Sequence, residues 1–310
     1  MAKARRPKNL PRELATILDF IRYAVTHFAQ AELAFGQGTH DAVEEAMFLV
    51  GEALKLPIDR IEAFLSARLT AHEGRRIFAL IEKRVRTRLP AAYLLNRAYL
   101  QGTAFYIDQR VIVPRSYLAE LLYSDLFRGE APLVDCGAVA RVLDLCTGSG
   151  CLAVLACDIF PNAQVDAVDI SKDALAVAAV NVSNHGLQDR ITLRRGDLFT
   201  PVGAARYDII LVNPPYVDAK AVADLPAEYA HEPRVALQGG ADGMDIVRRI
   251  LNGASAHLNP AGALLCEIGR GREILERDHP QAEFLWLDTA ESSGEVFWLT
   301  AAALRKISGR

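Results

Sequence analysis

The chain has 310 residues and a mass of 33.9 kDa, a size at which a single core stops growing, so two units of unequal size are expected. Hydrophobic residues make up 51% and charged residues 24%, ordinary globular usage that excludes fibrous and extensively disordered chains. Lys plus Arg is 35 against 38 for Asp plus Glu, and the net charge of −3 excludes a basic nucleic-acid coat over the whole chain.

Lys3, Arg5, Arg6, Lys8 and Arg12 precede the first acid, Glu13, and read as a solvated N-terminal run. No uninterrupted apolar stretch follows, because Asp19, Arg22 and His27 break the first apolar segment. A secretory signal, a membrane span and a membrane partner are therefore not expected, and a cytoplasmic location is. Five cysteines without a C-x-x-C pair suggest neither a disulfide framework nor a zinc ribbon.

The first hundred residues read as helices. Leu14, Ile17, Leu18, Ile21, Val25 and Phe28 recur at helical spacing. Asp41 with Glu44, and Thr70 with Glu73, are spaced as capping boxes, while Pro57 and Pro90 mark breaks. Residues 1–98 are expected to form a helical domain. Over 99–115 the apolar period falls to two around Asp108-Gln109, which predicts a β-hairpin connector.

From 116 to 310 the pattern is strand and helix in alternation. Strands are predicted at 142–145, 164–170, 191–195, 207–213 and 262–268, with helices over 150–160, 173–184 and 242–257. Two closing strands, 283–287 and 295–300, flank a Ser-Ser-Gly turn. This is an α/β pattern: a doubly wound, Rossmann-like sheet with an antiparallel edge.

Three loops at predicted strand ends carry candidate chemistry. The first strand leads through Asp144 into Cys146, Thr147, Gly148, Ser149 and Gly150, a glycine-rich loop that opens a helix and lets backbone approach a ligand. Asp169 ends the second strand, nineteen residues past Gly150, where an acid can accept hydrogen bonds from both ribose hydroxyls of an adenosine cofactor. Asp197 ends the third strand and reads equally as a partner for the adenine amino group or as a surface turn.

The sharpest feature is Asn213-Pro214-Pro215-Tyr216, directly after the fourth strand. Two successive prolines remove two N–H donors and fix two φ angles. The Asn213 side-chain oxygen and the Pro214 carbonyl can then accept hydrogen bonds from one planar NH2 group, on which Tyr216 can stack. His231 reads as a hydrogen-bonded loop residue, Glu267 as a strand-end carboxylate, and Trp286 and Trp298 as core.

D-x-x-T-G-S-G, an acid after strand two, Gly-Asp after strand three and N-P-P-Y after strand four resemble the S-adenosylmethionine-dependent amino-methyltransferases. The stretches 105–115 and 213–218 are similar to the protein N5-glutamine methyltransferase family. The runs 35–39, 66–70, 90–96, 224–233 and 239–243 look like the branch acting on large-subunit ribosomal protein L-three. The resemblance spans nearly the whole chain, but Cys146 stands where a glycine is common.

It implies a seven-stranded sheet with a reversed last strand, S-adenosylmethionine as cofactor, no metal, and ribosomal protein L-three as the partner, with no direct nucleic-acid binding required. The helical domain then serves substrate recognition. Cys146, Thr147, Gly148, Ser149 and Gly150 form the cofactor loop, with Asp144 near the cofactor's amino group, Asp169 on the ribose and Asp197 at the adenine edge. Asn213, which also borders the cofactor, Pro214, Pro215 and Tyr216 hold the target amide. A release-factor glutamine methyltransferase, a nucleic-acid amino-methyltransferase using the same tetrapeptide, and a dinucleotide-binding module remain alternatives.

Overall fold

A computed structural model describes residues 10–307; the basic run at 3–8 lies outside the described residues. The chain divides into two compact units, one of Met1–Ala98 with Pro226–His231, the other of Tyr99–Leu225 with Glu232–Arg310.

The first unit is helical: α1 (Ile17–Gln30), α2 (Ala42–Leu54), a 3-10 segment (Ile58–Phe64), α3 (Ala71–Thr87) and α4 (Ala91–Leu95). Thr16 with Asp19 and Thr70 with Glu73 close full capping boxes at the starts of α1 and α3. Asp41 caps α2 through two backbone amides, but Glu44 reaches back to His40 N–H, so that box is not closed. The buried stripe of α1 runs through Ile17, Phe20, Ile21, Ala24 and Phe28, and Leu18 faces out at 52% exposure. Burying each of the larger ones, Ile17, Phe20, Ile21 and Phe28, contributes roughly 1.5–3 kcal/mol.

This helical core also holds charge. Arg84 of α3 is fully buried against Glu45 of α2 and lies 3.7 Å from Glu228, while Arg88 reaches the same Glu228 at 2.8 Å. Glu228 accepts the Ala34 amide as well, and His231 bonds the Thr87 carbonyl at 2.9 Å. Residues 226–231 thus complete the helical unit, although in sequence they follow the fourth predicted strand.

β1 (Ala98–Leu100) and β2 (Thr103–Phe105) pair around Gln101-Gly102. The hairpin expected around Asp108-Gln109 therefore turns earlier. Gln101 and Gly102 adopt φ of +48° and +72°, the left-handed conformations a two-residue turn requires. Beyond it, Ile107, Val111 and Val113 are buried without belonging to a strand.

Then follow α5 (Tyr117–Tyr123), α6 (Asp125–Arg128), β3 (Arg141–Leu145), α7 (Cys151–Ile159), β4 (Gln164–Asp169), α8 (Lys172–Asn184), β5 (Ile191–Arg195) and β6 (Tyr207–Val212). The chain closes with α9 (Ala219–Asp224), α10 (Asp245–Ala254), β7 (Leu258–Glu267), α11 (Arg272–Asp278), β8 (Leu285–Leu287), β9 (Val296–Thr300) and α12 (Ala301–Ile307). Seven strands form one sheet in the order β5-β4-β3-β6-β7-β9-β8. β3 to β7 run parallel, and β9 is antiparallel to both its neighbours.

One hydrophobic cluster joins α5 and α7 to Val142, Val165 and Ile209. A second joins α10 and α12 to Leu143, Ile210 and Leu264. Neighbouring residues of β3, Val142 and Leu143, fall in different clusters, as alternation across a sheet covered on both faces demands. Trp298 is buried in the first cluster, whereas Trp286 is only partly buried and donates to Glu276. The strand order reverses between β3 and β6, and the crevice at their carboxyl ends is where such sheets bind ligands. Among the described residues, no helix is long and apolar enough to cross a membrane.

Candidate active site

A cavity of about 470 Å³ opens at the carboxyl ends of β3, β4, β5 and β6, within the range of small-molecule sites. Gly148, Asp169, Leu198, Asn213 and Arg115 are on its wall.

The glycine loop is shaped by strained backbone and by two acids. Cys146, Gly148 and Gly150 all have positive φ, at +58°, +55° and +77°. Cys146 thus adopts a conformation easier for glycine, which accounts for the residue common there in similar loops. At Gly150 a Cβ would also lie 3.1 Å from the Cβ of Ala178, so a side chain would crowd α8 as well as strain the backbone. Thr147 Oγ1 and the Ala153 amide both donate to Asp144 Oδ2, tying the loop to the start of α7. Asn181 of α8, fully buried, donates to the Ser149 carbonyl at 2.8 Å.

Asp144 is fully buried, absent from the cavity wall, and its Oδ1 has no hydrogen-bond partner among the described residues. Burial pushes its carboxyl up to about 7. Asp169 lies on the wall. It accepts the Gly148 amide at 2.9 Å on one oxygen and the Ser171 amide at 2.8 Å on the other, and burial raises its carboxyl despite these bonds. A carboxylate offers about four acceptor sites, so the group keeps acceptor capacity for a ligand. Asp197 is also on the wall, but half-exposed and paired with Arg249 at 2.6 Å.

Asn213 follows β6 and lines the cavity with Pro215. Its Nδ2 donates to the Arg115 carbonyl at 3.4 Å, which commits Oδ1 to the acceptor role. Pro214 is buried and not on the wall. Tyr216 is not on the wall either, so the expected stacking on the target amide is not what its ring does in this structure. Its hydroxyl donates to Glu267 at 2.8 Å, and its ring packs so closely on Gly269 that a Cβ there would stand 2.8 Å away. Burial and the Glu267 charge push the Tyr216 phenol far above its ordinary range.

Two supports of this loop were given no supporting role by sequence reading. Gly243 packs on the Tyr216 backbone, where a Cβ would lie 2.3 Å from the Tyr216 carbonyl oxygen. Glu267 is the other: its signal was a carboxylate ending the apolar run of β7, a place where an acid stays only if it is hydrogen-bonded. Arg115, in the Val-Pro-Arg stretch of the resemblance, had been given no role.

The residues fit S-adenosylmethionine. That cofactor is cationic at its sulfonium and amino groups, and the buried Asp144 Oδ1 is a carboxylate oxygen with nothing to answer it. Asp169 adds carboxylate acceptors to the wall, and Leu198 and Ile170 add apolar lining.

Comparison with known proteins agrees. The family model described as Methyltransferase small domain matches residues 131–232. The chain is 59% identical over 296 residues to the ribosomal protein uL3 glutamine methyltransferase of Bradyrhizobium diazoefficiens, covering 94% of this chain and 92% of that protein. It is 52% identical over 297 residues to the protein of the same name from Bordetella pertussis, with coverage of 96% and 98%. For the one from Burkholderia pseudomallei the figures are 49% over 306 residues, with coverage of 96% and 99%. Identity at this level over almost the full length of each chain places the protein in the family of ribosomal protein uL3 glutamine methyltransferases.

Proposed function

We propose that the protein transfers the methyl group of S-adenosylmethionine to the side-chain nitrogen of a glutamine in ribosomal protein uL3, giving N5-methylglutamine. One arrangement carries this reading: Asp169 and Asn213, from the two strands that flank β3, line the same cavity. An adenosine-binding acid and an amide-binding acceptor thereby share one site.

When bound, the cofactor supplies an electrophilic methyl on sulfur. Asp169 would hold its ribose, Asp144 would answer its amino group from beneath the loop, and the loop from Cys146 to Gly150 would border its methionine part. Asp197, shared with Arg249, would face the adenine edge. Asn213 Oδ1 and the Pro214 carbonyl would accept the two N–H groups of the target amide. That places the nitrogen and stabilises positive charge as it develops there. Pro215 shapes the wall, and Tyr216 acts by fixing the loop.

The helical domain, read over residues 1–98 and completed in the structure by Pro226–His231, is taken as the part that recognises residues around the glutamine. The hairpin joins it to the methyltransferase domain. The reaction belongs in the cytoplasm and requires neither nucleic acid nor membrane.

The test is a competition in which purified uL3, release factors and ribosomal RNA are offered together with labelled cofactor. Label on a glutamine of uL3, located by mass spectrometry, is the expected result. Label mainly on release factors, or on RNA alone, overturns the substrate; no label on any of them overturns the reaction.

A further inference from the structure

We propose that Glu267 and Glu232 are positioning residues for this reaction: two buried carboxylates that fix the Arg115 carbonyl, and through it the orientation of the Asn213 amide. The inference rests on the methyl-transfer reading above.

The stretch from Val113 to Tyr117 passes along the cavity wall at Pro114, Arg115 and Ser116, and belongs to no strand or helix until Tyr117. Both its ends are held by acid. On one side, Glu232 accepts the Val113 amide at 3.1 Å and takes Arg115 through two guanidinium bonds of 2.7 Å each. On the other side, Glu267 Oε2 accepts Ser116 Oγ at 2.7 Å and the Tyr117 amide at 3.0 Å. The Glu232 side chain is fully buried and Glu267 is 1% exposed. Burying a carboxylate is costly unless it is hydrogen-bonded, so each acid confines its donors to a narrow geometry.

Between these anchors sits the Arg115 carbonyl, the acceptor for Asn213 Nδ2. An asparagine amide turned over would set Oδ1 against that carbonyl, two acceptors face to face. The Arg115 carbonyl therefore selects the rotamer that keeps Oδ1 available. Glu267 closes the arrangement from the other direction, because its Oε1 accepts the hydroxyl of Tyr216, three residues past Asn213. One carboxylate thus ties the 113–117 stretch to the loop after β6.

Glu267→Gln separates positioning from simple support. The Tyr117 amide can only donate, so the glutamine oxygen must turn to it, and the glutamine NH2 then faces the Tyr216 hydroxyl. The expected result is a single-turnover methylation rate about tenfold or more below wild type. Affinity for S-adenosylhomocysteine by calorimetry should stay within about twofold, and Glu232→Gln should behave in the same direction. In an Asn213→Ala background, Glu267→Gln should produce no further loss, whereas a merely structural role would subtract again.

A second readout needs no substrate. The side-chain amide resonances of Asn213 should move in Glu267→Gln, while those of buried Asn181 stay. Should Glu267→Gln fail to fold, Ser116→Ala carries both measurements; it removes one donor to Glu267 together with the cap that accepts the Leu118 amide at the start of α5. A rate within twofold of wild type overturns the proposal, as does an undiminished loss in the Asn213→Ala background or an unmoved Asn213 resonance. A wild-type protein inactive on uL3 overturns the reaction instead, and the resonance then decides the positioning claim alone.

Discussion

Gly148 gives its backbone N–H to the carboxylate of Asp169 at 2.9 Å, so the loop after β3 is pinned to the end of β4 by the residue proposed to hold the ribose. One side chain therefore shapes the loop and presents acceptors to the ligand.

Asp169→Ala should weaken S-adenosylmethionine binding by more than a single contact. Each charge-assisted hydrogen bond lost costs on the order of 1.5–3 kcal/mol, and the freed loop adds to that. Asp169→Asn, which keeps one acceptor, should fall between. Calorimetry on the folded variants measures both; unchanged affinity removes Asp169 from the site.

Asn213→Ala should act on turnover and not on cofactor. Its contacts strengthen as charge develops on the target nitrogen, so roughly a 100-fold loss in single-turnover rate is expected. Cofactor affinity should hold. A variant that loses the cofactor while turning over normally when saturated has had its role misassigned here.

Asp144 predicts a pH dependence of stability. Burial raises its carboxyl from the ordinary 3.8 to about 7, so the folded protein without cofactor favours the protonated form. That contribution is fully present below 3.8 and is lost as pH rises through about 7. Denaturant melts of wild type and Asp144→Asn, compared across this window, should show a steeper loss of stability in wild type, since the variant keeps the other buried carboxylates but not this one. The variant should also bind S-adenosylmethionine more weakly, having no charge to set against the amino group. Parallel stability curves would contradict the assignment.

Glu228→Ala tests the ionic core of the helical unit. It removes the carboxylate that Arg88 pairs with and leaves Glu45 as the one acid on the buried Arg84, both arginines keeping their backbone carbonyl partners. Breaking a buried pair from one side costs about 3–5 kcal/mol. A lowered melting temperature is expected, and a melt superimposable on wild type would show the network to be energetically idle.

The sheet was legible because its signal is local: apolar strands, glycine and proline breaks, and helices of alternating period. Asp169 and Asn213 were legible because they end strands, and this fold binds ligands at strand ends. The hairpin was misplaced because Ile107, Val111 and Val113 fall at even spacing, as one face of a strand does. Their neighbourhood is instead held by side chains: the Tyr106 amide donates to Asn181, and the Val113 amide to Glu232. Glu232 and Glu267 were hidden for a related reason. Their partners lie 117 and 150 positions away, and no local pattern encodes so distant a bond. Tyr216 was assigned by its aromatic face, but its hydroxyl decided its place.

The helical unit is discontinuous: its last piece, Pro226–His231, follows the entire stretch from Tyr99 to Leu225. On a ribosome the first four helices emerge long before Glu228 is made. Until then Arg84 has Glu45 but not the second acid, and Thr87 lacks the histidine that meets its carbonyl. Vectorial synthesis thus delays completion of this unit until most of the methyltransferase sheet has been translated. A fragment ending at Ala98 would be an unfinished fold, however regular its helices.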